Sequence, residues 1–228
     1  MPTIRYDESR GVNVVTYHIV FVGPSMAGKT TNLVQMYQRL PQGARGELIK
    51  IDTEDERTLF FDQAEVTVGG HGRGRSVASI RYITVPGQFF YQNLRRVLLG
   101  QVDGVVFVAD SDPARLEANR VAWVDTQKHL HKHGYWPAQE THKAEGKELV
   151  YADQPKIPLL IQANKRDLPN ALDLRVLKAI LDPKGLYPWQ EAIATEYKGV
   201  AETFKRITEM VIRGRKSPQA RKTGVRTT

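Results

Sequence analysis

The chain contains no cysteine among its 228 residues, so neither a disulfide nor a thiolate-bound metal can stabilise its fold. It has no run of about 18 apolar residues that could cross a bilayer, and its first residues lack the charged-then-apolar order of a signal peptide. Aromatic residues are scarce at 8%, yet 41% of all residues are hydrophobic, which is typical of a globular domain. Composition therefore predicts a soluble, cytoplasmic globular protein.

Excess positive charge is concentrated at the C-terminus. The chain has 33 Lys and Arg against 25 Asp and Glu, a formal net charge of +8. Residues 213–228 hold six basic residues and no acidic residue, so the other 212 residues carry a net charge of only +2. A disordered solubilising tail and a weak contact with an acidic partner or membrane surface both fit this pattern. The nearly neutral body argues against specific nucleic-acid binding.

Segments with strand-like and helix-like patterns alternate along the chain. Continuous apolar runs, typical of strands covered on both faces, occur at 14–22, 77–85, 102–109 and 157–163. Stretches with helical spacing occur at 30–40, 89–99, 113–133, 172–181 and 200–212. Residues 65–68, the glycine-rich residues 69–75 and the strand from Val77 have the pattern of an antiparallel hairpin. The alternation predicts an α/β fold with a mostly parallel sheet of six to seven strands, one antiparallel strand and helices on both faces.

The same patterns divide the chain into one domain with three additions. The domain is expected over residues 14–212, after an N-terminal extension at 1–13. Residues 134–156 are too long and too polar for an ordinary connection, so we expect them to form a surface insertion. The basic tail at 213–228 has no apolar periodicity and is expected to be disordered.

Residues 23–30 match the phosphate-binding pattern G-x-x-x-x-G-K-[ST] between a predicted strand and a predicted helix. The glycines allow the backbone to point successive N–H groups at phosphate oxygens, and the helix N-terminus adds positive potential. Lys29 is expected to bridge the outer phosphates, and the Thr30 hydroxyl is expected to bind Mg²⁺. The predicted nucleotide-binding residues of this segment are Gly23, Pro24, Ser25, Met26, Ala27, Gly28, Lys29, Thr30 and Thr31.

A second polar segment, residues 164–167, follows the apolar run at 157–163. It is therefore expected at the carboxyl end of a strand, the edge where open α/β sheets bind their ligands. The Asp167 carboxylate can accept hydrogen bonds from both N1–H and the exocyclic amine of guanine, whereas adenine presents an acceptor at the first of these positions. We predict guanine recognition by Asn164, Lys165 and Asp167, and hence GTP or GDP as the ligand.

Five segments together resemble the Ras-like small GTPases, and most closely their bacterial MglA-type branch, the polarity switches of gliding and twitching motility. The segments are 23–33, 53–62, 84–88, 102–111 and 164–170, and the likeness extends over about residues 14–212. Most Ras-like proteins have Asp where this chain has Thr84, and that substitution is typical of the MglA-type branch. The resemblance implies a single Ras-like P-loop domain. It also implies a molecular switch that hydrolyses GTP slowly unless a GTPase-activating protein is present.

The resemblance further implies which residues act in hydrolysis. Gln88, directly after Gly87, is similar to the glutamine that orients the attacking water, and Gly87 is similar to a nucleotide contact. Arg57 is similar to an arginine finger that the family supplies in cis. Thr58 is similar to the switch threonine that senses Mg²⁺ and the γ-phosphate.

Two further assignments follow from the resemblance. Thr84 stands where a carboxylate usually helps to hold the water shell of Mg²⁺, so Asp62 is a candidate substitute, beside Thr30 and Thr58 as metal ligands. Ala194 resembles the fifth guanine-binding element, in which a backbone N–H meets the guanine carbonyl oxygen.

The resemblance implies two kinds of partner, a Roadblock/LC7-type (MglB-like) homodimer that activates hydrolysis and effector proteins. It also implies recruitment to a cell pole. Two other functions stay open from the residues. A P-loop enzyme could use ATP to phosphorylate a small molecule, and a binding module could hold GTP without turning it over. Residues 164–167 oppose the first alternative, and Arg57 together with Gln88 opposes the second.

Overall fold

The computed structural model describes residues 2–9, 11–42, 45–53, 57–66, 76–84, 101–143 and 146–214. Their strands are β1 Thr3–Asp7, β2 Val12–Val22, β3 Arg45–Thr53, β4 Arg57–Val66, β5 Ser76–Thr84, β6 Gly104–Asp110, β7 Ala138–Lys143, β8 Gly146–Tyr151, β9 Leu159–Asn164 and β10 Trp189–Glu191. Their α-helices are α1 Lys29–Arg39, α2 Leu116–Lys132, α3 Leu174–Leu181 and α4 Val200–Arg213. Short 3₁₀ turns at Pro113–Arg115 and Ala194–Glu196 precede α2 and α4.

One sheet of eight strands forms the centre of the structure. Its order is β10-β9-β6-β2-β5-β4-β3, with β1 paired beside β2. The neighbours from β10 to β5 are parallel, whereas β4 runs antiparallel to β5. The predicted fold class, a mostly parallel sheet with an antiparallel hairpin partner, is therefore confirmed. β1, β3 and β10 raise the number of strands above six to seven, because edge strands carry no continuous apolar run that would mark them in the sequence.

Side chains of the central strands alternate between two apolar layers, one on each face of the sheet. Phe21 of β2 is buried with Phe204 of α4 on the face that α1 and α4 cover. Its neighbour Val22 is buried on the other face, with Trp123 of α2 and Leu181 of α3. Because both faces are covered, the polar ends of the parallel strands are the part of the sheet that can meet a ligand.

The first thirteen residues, expected as an extension before the domain, contribute β1 and the start of β2. Thr3–Asp7 pairs antiparallel with residues 12–16 of β2, on the side where β6 pairs only with residues 19–22. β1 thus supplies hydrogen bonds to a part of β2 that β6 does not reach. Its side chains are mostly exposed, including Ile4 and Tyr6, so no apolar run marks this strand in the sequence.

The predicted insertion at 134–156 contains a separate two-stranded sheet in which β7 and β8 pair antiparallel. Trp136, just before β7, is 1% exposed, and its Nε1 donates a hydrogen bond to the Ala152 carbonyl at 2.7 Å. Its ring meets those of Trp123 and Tyr187 edge-on. This aromatic cluster anchors the hairpin to the apolar layer beneath α2.

Three expectations fall outside the described residues: the helix at 89–99, the glycine-rich loop at 69–75 and the tail beyond residue 214. Of the helices that the structure describes, none is both long enough and apolar enough to span a membrane.

Candidate functional site

Residues 23–30, here called the phosphate loop, connect β2 to the first turn of α1 at the carboxyl edge of the sheet. Three of them adopt positive φ: Gly23 at 134°, Met26 at 64° and Gly28 at 93°. A Cβ at Gly23 would lie 2.2 Å from the Val108 carbonyl oxygen, so only glycine lets the loop pass this close to β6. The sharp turn leads directly into a helix N-terminus, whose first N–H groups have no helical partners and can bind phosphate.

Lys29 is buried inside the phosphate loop. The residue is 7% exposed, and its Nζ donates hydrogen bonds to the carbonyl oxygens of Pro24 at 2.6 Å and Gly23 at 3.1 Å. Arg115, on the turn before α2, donates from Nη2 to the Ser25 carbonyl at 2.9 Å. No acidic residue occurs in the first turn of α1. The potential at this helix N-terminus is therefore positive, which favours an anion.

Asn164, the last residue of β9, joins the phosphate loop to the segment that precedes α4. Its Nδ2 donates to the Ala27 carbonyl at 2.8 Å, and its Oδ1 accepts from the backbone N–H of Ala194 at 2.9 Å. The residue is 2% exposed. One buried side chain thus joins Ala27, which lies 137 residues before it in the chain, to Ala194, which lies 30 residues after it.

Replacing Gly28 with alanine is expected to disrupt this junction. A Cβ at Gly28 would lie 2.2 Å from Asn164 Nδ2, and φ at this residue is 93°. Steric overlap and backbone strain together should lower the free energy of unfolding by about 3 kcal/mol. Gly134→Ala is the matched control, because Gly134 has a φ of 74° but open space around its Cβ, and it should cost only about 1 kcal/mol. Urea unfolding measures both losses, and equal losses would contradict the steric argument.

Lys165 and Asp110 form an ion pair beside Asn164. Lys165 adopts a left-handed backbone conformation with φ of 62°. Its Nζ lies 2.7 Å from Asp110 Oδ2, and the Asp110 side chain is fully buried at the end of β6. The backbone N–H of Asp112 donates to the other oxygen, Oδ1, at 3.1 Å. A buried carboxylate that is both paired and hydrogen-bonded holds the lysine in a defined position.

A cavity of about 190 Å³ lies between the phosphate loop and the segment after β9. Its lining residues are Met26, Gly28, Thr31, Asn164, Lys165, Asp167, Leu168, Ala194 and Thr195. Asp167 is exposed here, so its carboxylate is accessible to a ligand. Leu168 and Thr195 were not predicted from the sequence; the only signal for either is its position directly after a predicted residue. The cavity offers a carboxylate acceptor next to an anion-binding loop, which suits a ligand with hydrogen-bond donors at one end and negative charge at the other.

Hydroxyl groups near the phosphate loop fit a hard cation such as Mg²⁺. Thr30 is half-buried in the first turn of α1. Thr84, the last residue of β5, is 2% exposed, and its hydroxyl makes no hydrogen bond to the described residues. Thr84 pairs with Phe21 of β2, so it lies at the sheet edge that carries the phosphate loop. Oxygen ligands such as these hydroxyls, with phosphate and water, are what Mg²⁺ prefers.

The described part of the chain offers few protein ligands for such a cation. Within the described ranges there is no group of three His, Cys, Asp or Glu that could hold a metal. In the sequence, Thr84 shows only that the carboxylate usual in Ras-like proteins is absent. The structure adds that the Thr84 hydroxyl is buried.

The β3-β4 hairpin carries three of the predicted residues. β4 pairs with β5 over residues 61–66, whereas residues 57–60 have a pairing partner among the described residues only in β3. The backbone of Arg57 and Thr58 therefore lies on a two-stranded ribbon that extends past Thr84, the last described residue of β5, at the sheet edge that carries the phosphate loop. Asp62 lies further back, within the sheet. Its pairing partner is Tyr82 of β5.

Gly87 and Gln88 lie outside the described residues, so their roles stay predictions. The roles of Arg57, Thr58 and Asp62 in hydrolysis and metal binding likewise stay predictions.

Known proteins match the chain over most of its length. It is 38% identical over 212 residues to the mutual gliding-motility protein MglA of Myxococcus xanthus (strain DK1622), and the match covers 93% of this chain and 96% of the relative. It is 27% identical over 213 residues to human ADP-ribosylation factor-like protein 4A, covering 88% of this chain and 86% of the relative. It is 26% identical over 211 residues to human ADP-ribosylation factor-like protein 4C, covering 90% and 92%. No family model matches the chain.

Proposed function

The chain belongs to the MglA-type branch of the Ras-like small GTPases, and from this premise we propose that it binds GTP or GDP with Mg²⁺ and hydrolyses GTP to GDP and phosphate. One observation carries the proposal: the buried Asn164 side chain joins the phosphate loop to Ala194, and the cavity between them exposes Asp167. One half of this site suits phosphates, and the other half suits a base with two adjacent donors.

The phosphate half is expected to act through fixed positive charge. The carbonyl groups that hold Lys29 Nζ are neutral, so anionic phosphate oxygens are stronger partners for the ammonium group. The N-terminus of α1 adds the positive end of the helix dipole. When bound, Mg²⁺ neutralises charge on the phosphate oxygens. Thr30 would hold the ion, and Thr58 and Asp62 are further candidate ligands. The Thr84 hydroxyl is a candidate to bind a water molecule of the ion.

The base half is expected to recognise guanine through Asp167. The carboxylate would accept from N1–H and from the exocyclic amine, and the backbone beside Ala194 would face the guanine carbonyl oxygen. The stem of Lys165, held by its ion pair with Asp110, lines the same cavity and can pack against the base. The adenine of ATP has neither the N1–H nor an amine at the same position, so the site should reject ATP.

Hydrolysis is expected to depend on Gln88 and Arg57. Gln88 would orient the attacking water, and Arg57 would stabilise the charge that develops on the phosphoryl group. The β3-β4 ribbon supports this proposal, because it carries Arg57 and Thr58 and extends past Thr84 at the sheet edge that carries the phosphate loop. Because the arginine would come from the chain itself, a partner would need only to arrange the segments that carry Arg57 and Gln88.

The proposed cellular role rests on the Myxococcus xanthus relative, whose name refers to gliding motility. We propose that the GTP-bound form contacts effector proteins and regulates cell polarity or motility. A Roadblock/LC7-type homodimer is the proposed GTPase-activating partner. The basic tail would add a weak contact with an acidic surface.

Lys29→Ala is expected to weaken GDP binding by at least about 100-fold, because it removes a buried charge from the phosphates. Calorimetric titration with GDP measures the change. Lys184→Ala is the control: this lysine is exposed and pairs with Asp153 at 2.6 Å, so its loss should leave GDP affinity unchanged. Retained affinity in Lys29→Ala would mean that the phosphates bind elsewhere.

The proposed activity itself is tested by single-turnover hydrolysis of GTP, with ATP in parallel and with and without a Roadblock/LC7-type homodimer. The proposal expects GTP binding without ATP competition, slow hydrolysis alone and faster hydrolysis with the homodimer. Displacement of GDP by ATP would favour the small-molecule kinase. Tight GTP binding without any turnover would favour the constitutive binding module.

A further inference from the structure

Three buried polar side chains behind the phosphate loop belong to none of the residues assigned above. They are Asn32 of α1, Gln162 of β9 and Thr203 of α4, and each is 0% exposed. We propose that Asn32, held by Gln162, is a positioning residue that fixes the phosphate loop and thereby slows the release of bound nucleotide. This inference rests on the nucleotide-binding function proposed above.

The hydrogen-bond network of these three residues is complete, and the backbone carbonyl groups at its two ends determine which atoms donate and which accept. Asn32 Nδ2 donates to the Gly28 carbonyl at 2.9 Å, and Thr203 Oγ1 donates to the Gly199 carbonyl at 2.7 Å. Carbonyl oxygens only accept, so the Asn32 and Gln162 amides exchange two bonds of 2.9 Å, and Gln162 Nε2 donates to Thr203 at 2.8 Å. Every donor hydrogen of the three side chains therefore has an acceptor.

The bond to Gly28 holds the peptide group at the end of the phosphate loop. The Gly28 carbonyl accepts from both the backbone N–H and the side chain of Asn32. In a trans peptide the carbonyl and the following N–H point in opposite directions. Holding this carbonyl toward α1 therefore directs the Lys29 N–H out of the helix N-terminus. That N–H is one of the donors that a phosphate site uses.

β9 anchors two successive carbonyls of the phosphate loop. Gln162 and Asn164 are two residues apart on this strand, so their side chains lie on the same face. Asn164 binds the Ala27 carbonyl directly, and Gln162 holds the Gly28 carbonyl through Asn32. The strand that leads into the base-recognition segment thus also sets the geometry of the phosphate loop.

Replacing Asn32 and Gln162 together with leucine can separate the effect on fold stability from the effect on the phosphate loop. Leucine at positions 32 and 162 keeps a similar volume and leaves neither amide without its partner, which limits the loss of stability. The pair still removes the side-chain donor to the Gly28 carbonyl. A merely structural role would leave nucleotide release unchanged in this variant, whereas a positioning role would not.

The test measures release of fluorescent GDP from the full chain and from the Asn32→Leu/Gln162→Leu variant. Release is expected to become about five- to tenfold faster, as loss of one ordering hydrogen bond implies. Val105→Ala, in the apolar layer on the opposite face of the sheet, is the control that lowers thermal stability without changing release. Equal release from the parent and the double variant would overturn the inference. A parent chain that binds no GDP would instead contradict the proposed function.

Thr203 decides the matter if the leucine pair does not fold. Thr203→Val removes the acceptor for Gln162 Nε2 and is expected to raise the release rate about twofold. Thr203→Ser keeps the hydroxyl and should restore the parental rate. If the valine and serine variants release GDP alike, the network does not control the phosphate loop.

Discussion

Arg57→Ala is expected to reduce homodimer-stimulated GTP hydrolysis by about 10³-fold, a loss of about 4 kcal/mol of transition-state stabilisation. The reason is that a guanidinium group stabilises the charge that spreads over the transferred phosphoryl group. The structure places the Arg57 backbone on the ribbon of β3 and β4 that extends past Thr84, the last described residue of β5. An arginine at this position would be supplied by the chain itself.

The measurement is single-turnover hydrolysis with a saturating Roadblock/LC7-type homodimer. Arg57→Lys keeps the charge but loses the planar fork, so it should recover only part of the rate. Arg213→Ala is the control, because this arginine is 77% exposed on α4 and pairs with Glu209 on the same helix. Gln88→Leu should also abolish stimulation while GTP stays bound. Full stimulation of Arg57→Ala would mean that the partner supplies the positive charge.

Asp167→Asn is expected to invert the preference between guanine and xanthine nucleotides, changing the ratio of their affinities by at least about 10³. In the proposed site, the Asp167 carboxylate would accept two hydrogen bonds from guanine. An asparagine amide presents a donor instead, which meets the amine of guanine unfavourably but suits the second carbonyl of xanthine. The exposed position of Asp167 at the cavity allows this exchange without disturbing the core.

Competition between GTP and XTP for a fluorescent guanine nucleotide measures the change. Asp153→Asn removes a carboxylate that is 59% exposed and pairs with Lys184, so both affinities should stay as in the parent. An unaltered preference in Asp167→Asn would place base recognition on other residues of the cavity.

Much of the fold was predictable because its signals are local. Continuous apolar runs at β2, β5, β6 and β9 and helical spacing at α1 to α4 reflect burial on both faces of a parallel sheet. The phosphate loop is equally local, since its glycines and Lys29 lie within eight consecutive residues. The edge strands β1, β3 and β10 were not marked, because an edge strand is specified by what pairs with it and not by its own apolar run.

The sequence by itself determined the α/β class, the phosphate loop, the polar segment at 164–167 and the family resemblance, since each depends on residues close together in the chain. The tertiary structure alone decided that Asn164 reaches the Ala27 carbonyl, that Asn32 meets Gln162 across 130 residues, and that the Thr84 hydroxyl is buried. Polar side chains inside apolar segments follow no periodicity. The hydrogen-bond partners of these side chains depend on how β9 packs against α1 and α4, and this packing exists only in the folded chain.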